Sequence, residues 1–267
     1  MEDSEKLSSV RGFLLDMDGT FYLGDRLLEG ALRFIDLLHL QGKDYLFLTN
    51  NSSKHRSQYA EKISRLGLPI TEEAVLTSGE ATALYLGERY PAARLFLVGT
   101  PSLEEEFRQH GFSLVQHDPQ LVVLGFDTTL TYQKLWALCD FVREGLPYIA
   151  THPDFNCPTE TGFMPDVGAM IAFVNASTRR LPDLVVGKPN RMIVDAAAVK
   201  MHLPVDQLAM IGDRLYTDIA LGPSSGIATV LVLSGETKLD DLKDSPFKPD
   251  YIFDNLGGVA DWLQKNA

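Results

Sequence analysis

Arg11-Gly12-Phe13-Leu14-Leu15-Asp16-Met17-Asp18-Gly19-Thr20 is the stretch on which the reading of this chain turns. Its apolar run, Phe13 to Leu15, suits a short strand covered on both faces, and Gly19 offers the backbone freedom for a sharp turn just beyond it. Asp16 and Asp18 then stand at the strand's carboxyl end, the edge at which open α/β sheets bind ligands. Alternate side chains on an extended chain point the same way, so both carboxylates can face one crevice, where they need a cation or a proton. Read alone, Asp-Met-Asp-Gly-Thr is equally an ordinary polar turn. Three later stretches favour the chemical reading.

Outward from that turn, apolar spacing predicts a helix over 30–42 and a strand over 45–48, which ends in Thr49-Asn50-Asn51-Ser52-Ser53 and introduces a second helix to about Leu66. The polar cluster is a helix cap on one reading and, on another, a place where backbone N–H groups hold an anion. A strand at 75–78 and a helix at 80–90, closed by Pro91, follow. The pattern then restarts, with strands at 95–98, 121–125 and 148–150 and helices at 103–110 and 132–144, which predicts an inserted α/β domain. Thr151 to Gly168 reads as a polar turn too long for a routine connection, hence a candidate binding loop. An apolar helix at 168–174 and a linker at 175–182 lead out of the insertion. Gly125-Phe126-Asp127-Thr128-Thr129 imitates the first motif but lacks its second Asp and its Gly, so Asp127 reads as a turn residue.

The final third returns to larger βα units: a strand at 184–186 before Gly187-Lys188-Pro189, a helix at 192–202, and a strand at 208–211 before Gly212-Asp213-Arg214-Leu215-Tyr216-Thr217-Asp218. Strands at 229–233 and 251–253 and a helix at 258–264 follow. The expected architecture is α/β: a Rossmann-like parallel-sheet core over 1–78 and 183–267, interrupted by the α/β insertion over 79–182.

A net charge of −12 argues against nucleic acid polymers, whose binding rests on many basic contacts to phosphate, yet leaves room for a small phosphorylated substrate held by a metal ion and a few cations. The charged amino terminus lacks a secretory core and no stretch approaches a membrane span, so a cytoplasmic protein is expected. Cys139 and Cys157 are too few for a disulfide framework, and Cys139 reads as core filler.

Asp16 with Asp18, Thr49 with Asn50 and Asn51, Lys188, and Asp213 with Asp218 each follow an apolar strand. In one parallel sheet such ends share an edge. Mg²⁺ prefers carboxylate oxygens, water and substrate phosphate, a role for Asp16 and Asp213, with Asp218 supporting. Asp16 can attack phosphorus to give an aspartyl-phosphate, and Asp18 can protonate the leaving oxygen and later take a proton from water. Lys188, the Thr49 hydroxyl and backbone N–H groups at Asn50 can neutralise the phosphoryl oxygens.

These residues resemble the haloacid dehalogenase superfamily of Asp-nucleophile phosphatases: Asp16-Met17-Asp18-Gly19-Thr20 its first motif, Thr49 its second, Lys188 its third, Gly212-Asp213 to Asp218 its fourth. Leu48-Thr49-Asn50-Asn51-Ser52-Ser53, Val186-Gly187-Lys188-Pro189 and Gly212 to Ile219 are similar to the 4-nitrophenylphosphatase or NagD-like branch. That resemblance implies a large C2-type α/β cap inserted between the second and third motifs, where the insertion falls. It also implies that Asp18 binds Mg²⁺ through its backbone carbonyl and that a homodimer forms through the cap. Tyr216 departs from the acidic residue often found at its place. Asn156-Cys157-Pro158 lacks the cap-loop histidine of related pyridoxal phosphatases, which speaks against pyridoxal phosphate.

The function expected is therefore a Mg²⁺-dependent phosphomonoesterase acting on small phosphorylated metabolites such as nucleotides or sugar phosphates, with Asp154, Asn156 and Cys157 of the insertion's loop as candidates for reading the leaving group. A phosphotransferase or phosphomutase using the same intermediate is one alternative. A phospho-ligand-binding protein without catalysis is another, though it would not need Asp16 and Asp18 together with Asp213 and Lys188.

Overall fold

The structure is a computed structural model and describes residues 6–159 and 161–266. Residues 1–5 of the charged amino terminus and Glu160 of the polar turn lie outside the described residues. In chain order the elements are β1 (Gly12–Leu15), a hairpin of β2 (Tyr22–Leu23) and β3 (Arg26–Leu27), α1 (Ala31–Leu40), β4 (Asp44–Thr49), α2 (Arg56–Arg65), β5 (Val75–Thr77) and α3 (Ser78–Arg89). Then come β6 (Arg94–Val98), α4 (Pro101–Gln109), β7 (Ser113–Leu114), β8 (Leu121–Leu124), α5 (Tyr132–Arg143), β9 (Tyr148–Ala150), β10 (Asn156–Thr159), β11 (Gly162–Pro165), α6 (Val167–Thr178) and β12 (Leu184–Val185). The chain closes with α7 (Arg191–Met201), β13 (Leu208–Gly212), α8 (Leu221–Ser225), β14 (Ala228–Val232), β15 (Tyr251–Phe253) and α9 (Leu256–Lys265).

The chain divides into two compact units. The first takes the residues up to Leu48, Tyr59–Leu76 and those from Lys188 onward; the second takes Thr49–Gln58 and Thr77–Gly187. Compared with expected boundaries after 78 and after 182, residues 49–58, 77–78 and 183–187 group with the second unit.

A six-stranded sheet in the order β15-β14-β13-β1-β4-β5 forms the first unit's spine, and β1 pairs in parallel with β13 on one side and β4 on the other. Phe13, Leu14 and Leu15 are fully buried, as a strand covered on both faces must be. Phe13 and Leu15 pack with Phe34, Ile35, Phe47 and Val230. Because β1 is central and β13 adjacent, the turns that follow them are neighbours.

The second unit has its own five-stranded sheet, β12-β9-β8-β6-β7, every pair parallel. Phe96, Val122, Leu124, Leu138, Tyr148 and Val174 are part of its core, and buried Cys139 lies among them. Asp127 is a turn residue: its carboxylate accepts the Thr129 N–H at 2.8 Å and pairs with Lys134 at 2.6 Å.

Three expectations are corrected. The polar turn from Thr151 to Gly168 contains the antiparallel hairpin β10–β11, whose Cys157 and Met164 face each other and pack on the core while Pro158 and Phe163 lie opposite one another. Its turn-forming composition hid that pairing, because a two-stranded ribbon tolerates Pro at positions that need no donor. Helix α6 runs to Thr178, so 175–178 is helical and the linker begins at Arg179, whose left-handed conformation ends the helix. The strand at Leu184 pairs with Ile149 and belongs to the second sheet. A two-residue apolar strand carries no local mark of its partner.

Candidate active site

β1 delivers Asp16 directly, since the Asp16 N–H still donates to the Ile211 carbonyl of β13 at 2.9 Å. The chain then turns tightly: the Met17 carbonyl accepts the Phe21 and Tyr22 N–H groups, and the Gly19 N–H donates to the Tyr22 carbonyl at 2.8 Å. Gly19 has φ +90°, and a Cβ there would stand 2.3 Å from Asp213 Oδ2. Both its conformation and the space around it therefore require glycine.

Asp213 follows β13 and is buried. Its Oδ2 accepts the Glu236 N–H at 2.7 Å and its Oδ1 the Thr20 hydroxyl at 3.4 Å. The Glu236 contact comes from Ser234-Gly235-Glu236-Thr237, the loop after β14. A Cβ at Gly235 would lie 1.9 Å from Asp213 Oδ2, so the loop reaches the carboxylate only because it carries glycine there. Nothing in the sequence reading marked this loop, although a Ser-Gly pair after a buried strand is a turn signal that could have drawn attention to it.

Asp218 projects from a five-residue π-helical turn, Leu215–Ile219, and is fully buried. Its Oδ2 accepts the Arg214 N–H at 3.1 Å, and its Oδ1 receives Lys188 Nζ at 2.7 Å. Lys188 Nζ also lies 2.5 Å from Asp16 Oδ1 and 3.4 Å from the Leu48 carbonyl. Lys188 thus bridges two acids, although the strand preceding it belongs to the other sheet rather than to the shared edge that the sequence reading assumed.

One ligand atom each from Asp16, Asp213 and Asp218 lie within 4.8 Å of one another. Burial and the charges of Asp16 and Asp218 push the Asp213 carboxyl well above the usual range. Asp218 is also raised, by burial and by Asp16, although Lys188 opposes this. Burial disfavours the Lys188 charge, but Asp16 and Asp218 more than offset it and raise its pKa. Asp18 is exposed, yet its position beside the site raises its pKa through partial desolvation and the charge of Asp16, against Lys62. Three carboxylate oxygens gathered this closely, with Asp213 and Asp218 raised, are the donor set a hard divalent cation takes.

In the second unit, the Thr49 hydroxyl accepts the Asn51 N–H at 3.1 Å. Buried Asn50 gives its amide to both oxygens of Asp154, at 3.2 and 3.1 Å, and Asn51 Nδ2 lies 3.8 Å from Cys157 Sγ. Asn156 is exposed on β10. The three loop candidates therefore differ: Asp154 and Cys157 contact the Thr49–Asn51 segment, whereas Asn156 faces solvent. His152, unmarked in the sequence reading, is buried with Nε2 2.9 Å from Asp166 Oδ1 and Nδ1 3.0 Å from the Thr151 hydroxyl.

Residues 13–113 match the family model of haloacid dehalogenase-like hydrolases, and residues 185–259 match a second model of the same kind. An acid sugar phosphatase of Staphylococcus haemolyticus is 35% identical over 98% of this chain and 99% of its own length. The chain belongs to the haloacid dehalogenase-like hydrolases. The 5'-nucleotidase YutF of Bacillus subtilis is 33% identical over 96% of this chain and 99% of its own. The crystal structure of a 4-nitrophenylphosphatase from Thermotoga maritima superposes with a TM-score of 0.94 at 47% identity, covering 97% of this chain and 99% of that one. This haloacid dehalogenase-like hydrolase is an enzyme of the phosphatase type, with the parallel-sheet core and inserted α/β unit of its relatives. No helix among its described residues is long and apolar enough to cross a membrane.

Proposed function

We propose that the protein is a cytosolic Mg²⁺-dependent phosphomonoesterase that hydrolyses small phosphorylated metabolites, sugar phosphates or nucleotides among them, through an aspartyl-phosphate on Asp16. The observation that carries this reading is Lys188 Nζ standing between Asp16 Oδ1 at 2.5 Å and Asp218 Oδ1 at 2.7 Å beside buried Asp213. Asp16, Asp213 and the Asp18 backbone carbonyl would hold Mg²⁺, with Asp218 in support. Bound there, the cation supplies positive charge to the phosphoryl oxygens.

Asp16 attacks phosphorus while the bond to the leaving oxygen breaks, and Asp18 gives that oxygen its proton. Water then attacks phosphorus, Asp18 takes its proton, and the bond to Asp16 breaks to release inorganic phosphate. Lys188 pairs with Asp16 and holds its direction. The Thr49 hydroxyl and the backbone at Asn50 and Asn51 provide donors for the phosphoryl oxygens, at the end of a strand that neighbours β1. We assign selection of the leaving group to the second unit, as the cap, since none of the proposed acids lies within it.

A homodimer through that unit is supported by the exposed apolar side chains Tyr132, Trp136 and Phe173, and light scattering checks it. For the mechanism, acid quench of the working enzyme should leave a phosphoryl group on the peptide carrying Asp16. Asp16→Asn should lose roughly 10⁴-fold in kcat or more. A variant that turned over 4-nitrophenyl phosphate at a rate near the parent's would defeat the covalent mechanism.

A further inference from the structure

We propose that Glu236 is a positioning residue for Asp213: its side chain, held by Arg214 and Tyr216, fixes the loop whose backbone N–H orients that carboxylate. The proposal rests on the reading of Asp213 as a ligand of Mg²⁺.

The loop 234–237 leaves β14, the neighbour of β13 in the sheet, and is tied to both turns that carry acids. Glu236 N–H donates to Asp213 Oδ2 at 2.7 Å, Thr237 N–H donates to the Asp213 carbonyl at 3.2 Å, and the Ser234 hydroxyl donates to the Gly19 carbonyl at 2.8 Å. The Glu236 carboxylate points elsewhere. Its Oε2 lies 3.0 Å from Arg214 Nε and its Oε1 accepts the Tyr216 hydroxyl at 3.0 Å. Both partners sit within three residues of Asp213, so the side chain staples the loop to the turn that begins at the ligand itself.

An ion pair with Glu236 at 47% side-chain exposure adds little to global stability. Its use here is geometric. The contact to Asp213 depends on Gly235, where no side chain fits, and glycine is the residue whose backbone is costliest to hold in one conformation. A tie one residue further on restricts that freedom. The same ion pair gives the Arg214 side chain a partner on the loop.

Groups that orient metal ligands through hydrogen bonds typically cost 10- to 100-fold in metal affinity when removed. Glu236→Ala should therefore raise the Mg²⁺ concentration that half-saturates the thermal shift by about tenfold. Glu236→Gln, which keeps an acceptor for Tyr216 but loses the charge for Arg214, should fall between the parent and the alanine variant. In metal-free protein, hydrogen exchange at the Glu236 amide should be faster in Glu236→Ala. If Glu236→Ala keeps the parent's Mg²⁺ midpoint, or protects that amide as well as the parent does, Glu236 is a surface residue and the proposal fails. Asp213→Asn separates the two readings: a full Mg²⁺ shift in that variant would remove Asp213 from the metal site, whatever Glu236 does.

Discussion

The two units bury polar groups in opposite ways. In the first, Asp16, Asp213 and Asp218 bring ligand atoms within 4.8 Å of one another, Lys188 pairs with Asp16 and Asp218, and the pKa values of Asp213 and Asp218 are driven up. In the second, buried polar side chains are paired off: Asn50 with Asp154, Ser52 with Thr151, His152 with Asp166, and Glu106 with His55 and His110. The first arrangement leaves like charges facing one another and stores demand for a cation. The second pairs most of these groups locally and fixes a shape, although among the described residues the buried Tyr148 hydroxyl lacks a hydrogen-bond partner and Glu80, Glu106 and His110 also bring ligand atoms within 4.8 Å of one another. Polar burial by itself therefore does not mark a reactive site; unbalanced charge does.

The largest effect should come from removing Lys188, which pairs with both Asp16 and Asp218. Lys188→Met removes the cation in direct contact with Asp16 and Asp218 and leaves only the more distant charge of Arg214, and breaking a buried ion pair from one side costs on the order of 3–5 kcal/mol. Denaturant unfolding of the metal-free variant should show that loss, together with loss of turnover. A variant as stable as the parent would mean that the acids are already neutral without Lys188.

Next in size is a difference in pH dependence between the units. Asp213 and Asp218 have pKa values raised by folding, so the stability they contribute is complete below the unfolded carboxylate range and is lost as pH rises from there toward neutrality. Glu106 behaves oppositely. Burial raises its pKa, but the hydrogen bond from His110 and the charges of His55 and Arg56 outweigh this and lower it. Its contribution is present above the unfolded value and disappears as pH falls through the folded one. Chemical denaturation of metal-free protein, followed by hydrogen exchange in each unit, should show the first unit loosening as pH rises and the second as it falls. Saturating Mg²⁺ should remove the first slope and leave the second. Slopes of the same sign would erase the contrast.

Glu106→Gln sharpens the comparison on one residue. Hydrogen bonds to charged groups contribute about 1.5–3 kcal/mol, so the variant should lose about 2 kcal/mol at neutral pH and little in acid. Equal losses at both pH values would show that packing, not charge, is what Glu106 supplies.

The smallest expected effect lies in the hairpin region. Asp154 is engaged with Asn50, so Asp154→Ala should lower kcat/KM by a similar factor for 4-nitrophenyl phosphate and for a sugar phosphate. Asn156 faces solvent, and Asn156→Ala should change the two unevenly if the hairpin reads the leaving group. The reverse pattern would return Asp154 to a direct role in selectivity.

Much was legible from the sequence alone. The run Phe13 to Leu15 ahead of Asp16 and Asp18 determined a buried strand ending in acids, and the restart of the βα pattern after Pro91 determined an insertion, because hydrophobic period and turn chemistry are local properties of the chain. Three things were decided only by tertiary structure. Leu184 and Val185 joined β9 rather than the core sheet, since strand partnership depends on segments far apart. The polar stretch after Thr151 folded into a ribbon because Cys157 and Met164 found a core to pack on. The loop at Gly235 came within reach of Asp213 because β14 lies beside β13, and closeness across a sheet is a relation between strands that no single stretch of sequence contains.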